Sequence, residues 1–304
     1  MIEVNDPASL RGVMAGLIEG SSDMAEGAIK DITVIVDTGG DRRPAKLAAE
    51  LARVTGAHLT GIALAVDPVV PVYTVAAPIP TDFIVAAHEQ TVADAKSALA
   101  AFDAIGQAAG ITSEGRLAES ISGDFTGVVR SALLTDLAVV GQDDPDADGE
   151  PLRSALIEAL LFQAGLPTLL VPARGVSELK GQKAVVAWNG SVQAARAVRA
   201  AMPLLARAES VMVAIVDEGA APAGVEQGAD IGAYLARHDL KVEVRTIVNA
   251  HEGAGAAILD LAREEDATFL VMGAYGHSRI RQFLLGGVTR HVLARATIPI
   301  LMAH

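Results

Sequence analysis

Cysteine is absent from the 304-residue chain. That excludes disulfides, thiolate zinc sites and cysteine nucleophiles. No run of Lys and Arg appears, and the formal charge is −13, which argues against a general nucleic-acid surface, because phosphate backbones are held by clustered cations. No apolar stretch approaches the length needed to span a bilayer, and no signal-peptide pattern opens the chain. A cytoplasmic location is the expectation that follows. Also missing are a nucleophile elbow, a P-loop lysine motif and any nameable Ser/His/Asp arrangement. His251, His277, His291 and His304 show no metal-ligand spacing. Aromatics make up only 3% of residues, while 51% are hydrophobic, with much Ala, Val and Leu. That composition suits helices packed on parallel sheets, and the length suffices for two α/β domains.

The apolar runs alternate in kind along the chain. Strand-like runs fall at 31–37, 59–66, 113–119, 136–141 and 168–171, with helical spacing over 44–55, 81–109, 125–133 and 148–163. Residues 67–80 form an apolar loop with four prolines. Residues 173–182 read as a linker, and the order then begins again. Strands are expected at 183–188, 211–216, 241–248, 268–272 and 298–302, and helices at 192–206, 229–238, 255–265 and 288–296. Strands alternating with helices imply right-handed βαβ units on a parallel sheet. Residues 1–29 stand apart as an N-terminal arm, with a short amphipathic segment over 7–18.

The repeat survives a direct test. A shift of 132 (265 less 133) lays residues 133–172 on 265–304 without a gap. It superimposes Gly141 on Gly273, Leu161 on Leu293 and Pro167 on Pro299. At the first strands the shift is 152 (189 less 37), which places Asp37 on Asn189. The second copy is shorter by about twenty residues, lost around the proline-rich loop and the long helix.

One stretch carries chemistry. Gly273, two residues, Gly276, nine residues and Gly286-Gly287 lie between the strand ending at Met272 and the helix that Val288 and Thr289 open. Glycines let a backbone approach a ligand, and the first N–H groups of a helix attract anions. A glycine-rich turn without a ligand fits the same residues.

That spacing resembles the nucleotide-binding signature of the universal stress protein family. The opening run 31–37, the stretch Val185-Val-Ala-Trp-Asn-Gly-Ser191 and the segment 286–292 with 299–302 extend the likeness over residues 30–304. The resemblance implies two tandem five-stranded parallel open sheets, each in strand order 3-2-1-4-5 with helices on both faces, paired as an intrachain pseudo-dimer. Its divisions are an arm 1–29, a first domain 30–172, a linker 173–182 and a second domain 183–304. It implies ATP, with Mg²⁺ accompanying the triphosphate, in the second copy. The residues carried over are Asn189 beside the base, Val216 offering backbone to it, and Gly273, Gly276, Gly286, Gly287, Val288 and Thr289 around the phosphates. The family's single-domain members dimerise through their last strands, and the two copies here would pair likewise inside one chain. A homodimer and a protein partner of unstated identity are compatible with that.

Two positions depart from the family pattern. Gly287 stands where the signature has Ser or Thr, leaving a hydroxyl only at Thr289. Asn189 replaces the acid that lies beside the adenine, and Gly190 with Ser191 also reads as a helix N-cap. In the first copy Asp144, Ser154 and Ala155 replace the glycines, and its loop holds Asp143, Asp144, Asp146, Asp148 and Glu150, although Asp37 keeps the base-side acid. That loop also opens like a calcium loop, D-x-D-x-D-G, but Ala155 occupies the closing position that needs Glu. Gly253-Ala-Gly255 reads as a helix start rather than a dinucleotide fingerprint, because its third glycine is missing. A regulatory binding module is the function expected, not an enzyme. A slow nucleotide hydrolase and a scaffold without nucleotide are the alternatives.

Overall fold

The computed structural model describes residues 29–67, 81–121, 123–143, 152–175, 183–217, 228–248, 250–274 and 287–304. Outside them lie most of the N-terminal arm, the proline-rich loop, the acidic loop with its calcium-like opening, and residues 176–182. Gly276, Gly286 and His277 also fall outside.

Among the described residues there are ten strands, each followed by a helix except β5 and β10. The strands are β1 (Asp31–Val36), β2 (His58–Asp67), β3 (Ser113–Ile121), β4 (Leu137–Gly141), β5 (Thr168–Val171), β6 (Lys183–Ala187), β7 (Ser210–Val216), β8 (Val242–Ile247), β9 (Phe269–Gly273) and β10 (Ile300–Ala303). The helices are α1 (Arg43–Thr55), α2 (Thr81–Ala109), α3 (Thr126–Ala132), α4 (Leu152–Glu158), α5 (Val192–Leu205), α6 (Ala229–Ala236), α7 (Ala254–Glu264) and α8 (Gly287–Arg295). All strands form one sheet in the order β3-β2-β1-β4-β5-β10-β9-β6-β7-β8.

Local chemistry sets the elements. Five of the six residues of β1 are buried, as a parallel strand covered on both faces requires. Helix α1 has Pro44 in its first turn, where the missing N–H costs nothing, and stops at Gly56, whose φ of 69° suits glycine. Leu47 and Leu51 of α1, Phe102 of α2 and Leu205 of α5 pack on one face of the sheet. Leu156 of α4, Ile258 of α7 and Val292 of α8 pack on the other. Burying each such side chain is worth about 1.5–3 kcal/mol.

The expected pair of separate sheets is corrected here: the two five-stranded runs, each ordered 3-2-1-4-5, fuse into one ten-stranded sheet. The cause lies in β5 and β10. Both are fully buried, and a buried edge leaves N–H and C=O groups without partners unless another strand covers it. They cover each other, antiparallel, with Ile300 opposite Leu170 and Met302 opposite Thr168. Phe162 and His304 close the seam, their rings 4.5 Å apart and edge to face. Arg43 Nη1 donates to the Gly175 carbonyl at 3.0 Å, which ties the chain after β5 to α1.

One helix differs in form from its expectation. After α4 the chain widens into a π-helical turn over Ala159–Gln163, and the Ala164 N–H reaches the Ala159 carbonyl. The wider turn keeps Leu160 and Leu161 in the core while Phe162 stays exposed beside His304. Among the described residues no helix is long and apolar enough to cross a membrane.

Candidate functional site

The chain leaves β6 for β7 on one side and is joined by β9 on the other, so a crevice opens at the carboxyl end of β6. Register places Ala187 beside both Met272 and Ala214. Asn189, just past β6, therefore stands between the ends of β9 and β7, where Gly273 and Val216 lie.

Asn189 is exposed, and its Oδ1 accepts the Ser191 N–H at 3.1 Å. Gly190 takes φ of 71°, and Ser191 Oγ accepts the Ala194 N–H at 3.1 Å. The helix-cap reading of Gly190 and Ser191 is therefore the one the structure shows. The Asn189 carboxamide starts that turn with its oxygen, and its NH₂ group is a hydrogen-bond donor.

Gly273 has a packing reason to be glycine. A Cβ there would lie 2.5 Å from the Ala194 nitrogen and 2.7 Å from the Gln193 carbonyl carbon. The end of β9 thus rests directly on the first turn of α5. At the start of α8 the constraint is the reverse. Gly287 is exposed, and a Cβ there would meet nothing within 4 Å. Gly287 adds no side chain to the first turn of this nine-residue helix, whose leading N–H groups carry the partial positive charge that favours an anion.

Val288 packs against the core and Thr289 is only 4% exposed. By the repeat, Thr289 occupies the register of Ile157, itself 4% exposed. Little of its side chain reaches the surface, so what Thr289 offers at the helix start is chiefly its backbone.

Sequence reasoning missed His304. Its Nδ1 lies 3.1 Å from the Ala274 carbonyl, and its own carbonyl accepts from Arg196 Nη1 at 2.9 Å. It pins the place where the glycine stretch leaves β9. Gly253-Ala-Gly255 starts α7 as expected: Gly253 has φ of 89°, and Gly255 lies under His291 of α8.

The equivalent crevice in the first copy is filled differently. Asp37 ends β1, and its Oδ1 is 2.9 Å from Arg153 Nη2. Arg153 Nη1 donates to the Gln142 carbonyl at 2.9 Å, and its Nε stands 3.8 Å from Asp143 Oδ1. Burial pushes the Asp37 carboxyl above its usual range, with Arg153 opposing and Asp41 adding to the rise. A cavity of about 250 Å³ opens beside this pair. Arg153 falls in the register of Leu285 of the second copy, a substitution visible in the alignment but not read as functional.

Residues 181–304 match the universal stress protein family. A universal stress protein of Synechocystis is 26% identical over 185 residues, 60% of this chain and 59% of that protein. The match therefore spans less than two thirds of that relative. Among solved structures, a universal stress protein from Archaeoglobus fulgidus superposes with a TM-score of 0.69 at 14% identity, covering 90% of this chain and 96% of its own. A functionally unknown Pseudomonas aeruginosa protein gives 0.57 at 16% identity, with 92% and 94% covered. At such identities the likeness concerns the fold alone.

Proposed function

We propose that this chain, with a universal stress protein family match over residues 181–304, is a tandem universal stress protein. In this reading it is a cytoplasmic regulatory module that binds an adenine nucleotide in its second half and does not turn it over. The divisions are an arm 1–29, a first domain 30–172, a linker 173–182 and a second domain 183–304. The observation that carries the reading is the start of α8. The helix begins at Gly287, an exposed residue without a side chain, and follows in sequence the glycine-punctuated stretch that leaves β9, the strand paired with β6.

The groups present fit such a ligand. Backbone N–H groups of Gly287, Val288 and Thr289 would face phosphate oxygens, with Gly276 and Gly286 leaving room for close approach. Arg279 and Arg281 would supply positive charge, and Mg²⁺ would accompany a triphosphate. Asn189 would donate from its NH₂ group to a base acceptor, and Val216 would present backbone. A scaffold without nucleotide is the second reading, favoured by one fact: Gly273 and Ser191 each have a complete structural role in seating α5.

Denaturing the purified chain and assaying the supernatant for adenine nucleotide separates the two. Released nucleotide in the wild type, absent after Gly276→Asp, is expected. Failure of the folded wild type both to release and to take up adenine nucleotide would leave the scaffold reading standing.

A further inference from the structure

We propose that the first half carries a second ligand site, of opposite charge preference, that takes a small organic cation bearing N–H donors on an apolar body. It lies outside the nucleotide reading and does not depend on it.

The site is the cavity of about 250 Å³ at the carboxyl ends of β1 and β2. That is just below the size that holds drug-sized ligands, so its occupant is small. Ile35, Leu64, Val66 and Leu156 supply apolar walls. Among the described residues, three charged side chains line it: Asp37, Asp94 and Arg153.

Their bonding decides the ligand's sign. Arg153 is paired with Asp37 at 2.9 Å, donates from Nη1 to the Gln142 carbonyl at 2.9 Å and stands 3.8 Å from Asp143. Two carboxylates beside it offset its single positive charge, which makes it a weak anchor for an anion. The carboxylates are each only half used. Asp37 accepts Arg153 through Oδ1, and Asp94 accepts Gln90 Nε2 through Oδ1 at 2.8 Å. Among the described residues, no hydrogen bond reaches either Oδ2. Two half-free carboxylates against one guanidinium leave the lining net negative, which disfavours an anion and accepts from N–H donors, most strongly when the donor is charged. The other nearby cation on α1, Arg43, is held by Asp41 at 2.6 Å. Arg42 lies within electrostatic reach of Asp37 but does not line the cavity. A bound cation would favour the ionised Asp37 carboxylate, opposing the rise that burial causes. The second half cannot copy this arrangement, because Asn189 stands where Asp37 does.

Benzamidine and benzoate provide a matched pair: one ring, similar size, opposite charge. Calorimetric titration of the full chain should show saturable benzamidine binding, one per chain, and none for benzoate. Asp37→Asn should weaken benzamidine about tenfold or more. Thr91→Phe, which fills the cavity from α2 without altering a charge, should abolish it, and it serves should Asp37→Asn fail to fold. Gly276→Asp acts on the second half alone. Benzoate binding as well as benzamidine, no saturable benzamidine binding, or full affinity in folded Thr91→Phe would each overturn the proposal. Loss of benzamidine in Gly276→Asp would overturn it too, by moving that binding to the other half. Since nucleotide uptake is read from adenine nucleotide and Gly276, either proposal can fail while the other stands.

Discussion

Two glycines at equivalent places in the repeat do different work. At Gly273 an added Cβ would press on the Gln193–Ala194 backbone of α5, which cannot yield. At Gly141 it would meet Arg153 Nη1 at 2.8 Å, the movable tip of a side chain, and Pro44 Cγ at 3.0 Å. Gly273→Ala should therefore destabilise the chain by about 1–3 kcal/mol, read as a lower denaturation midpoint with unchanged slope. Gly141→Ala should cost less and act by displacing Arg153 from Asp37. Equal losses at the two sites would contradict this account. His88 offers a residue-scale test of charge. Its Nδ1 lies 2.8 Å from Asp67 Oδ1, and that hydrogen bond, with the charge of Asp67, raises the imidazole above 6.5. A raised folded value means the pair stabilises fully below pH 6.5 and fades as pH rises through that value. The melting-temperature gap between wild type and His88→Gln should be present at about pH 6 and closed by about pH 9. A gap that stays constant would assign His88 a packing role instead.

At the scale of elements, strand and helix positions were legible because period and punctuation agree. The apolar run at 31–37 became β1, and Gly56 stopped α1 where a left-handed residue was required. The π-helical turn after α4 was not legible, since its sequence keeps ordinary helical spacing and only the i+5 hydrogen bond distinguishes it. Thr289 was named for a place around the phosphates, and the loss of a side-chain contact at Gly287 was legible in the sequence. The burial of Thr289, which matches that of Ile157 at the same register, was not foreseen. The Asp37–Arg153 pair was illegible because it joins β1 to α4 across most of a domain, and no local pattern announces a contact of that range. Asn189 was visible as a departure from an acid, whereas its use in seating α5 needed the Ser191 geometry.

The whole molecule is organised by the β5–β10 seam, which the sequence indicated as two apolar edges but not as a single continuous sheet. Leu169, Leu170, Ile300 and Leu301 are fully buried there, each worth about 1.5–3 kcal/mol. Proteolytic cutting within residues 176–182 should leave the halves co-eluting as one particle in size-exclusion chromatography. Two separately stable halves would contradict a seam of that strength. The same architecture gives two crevices of one design, and the residues lining them divide their chemistry. The first keeps Asp37 and adds Arg153 and Asp94. The second has Asn189 and bare helix-start backbone at Gly287. Calorimetric titration with ATP and Mg²⁺ tests that division most directly. The account predicts about one nucleotide per chain, lost in Gly276→Asp and kept in Asp37→Asn. Two equivalent sites, or one site lost in Asp37→Asn and kept in Gly276→Asp, would contradict it.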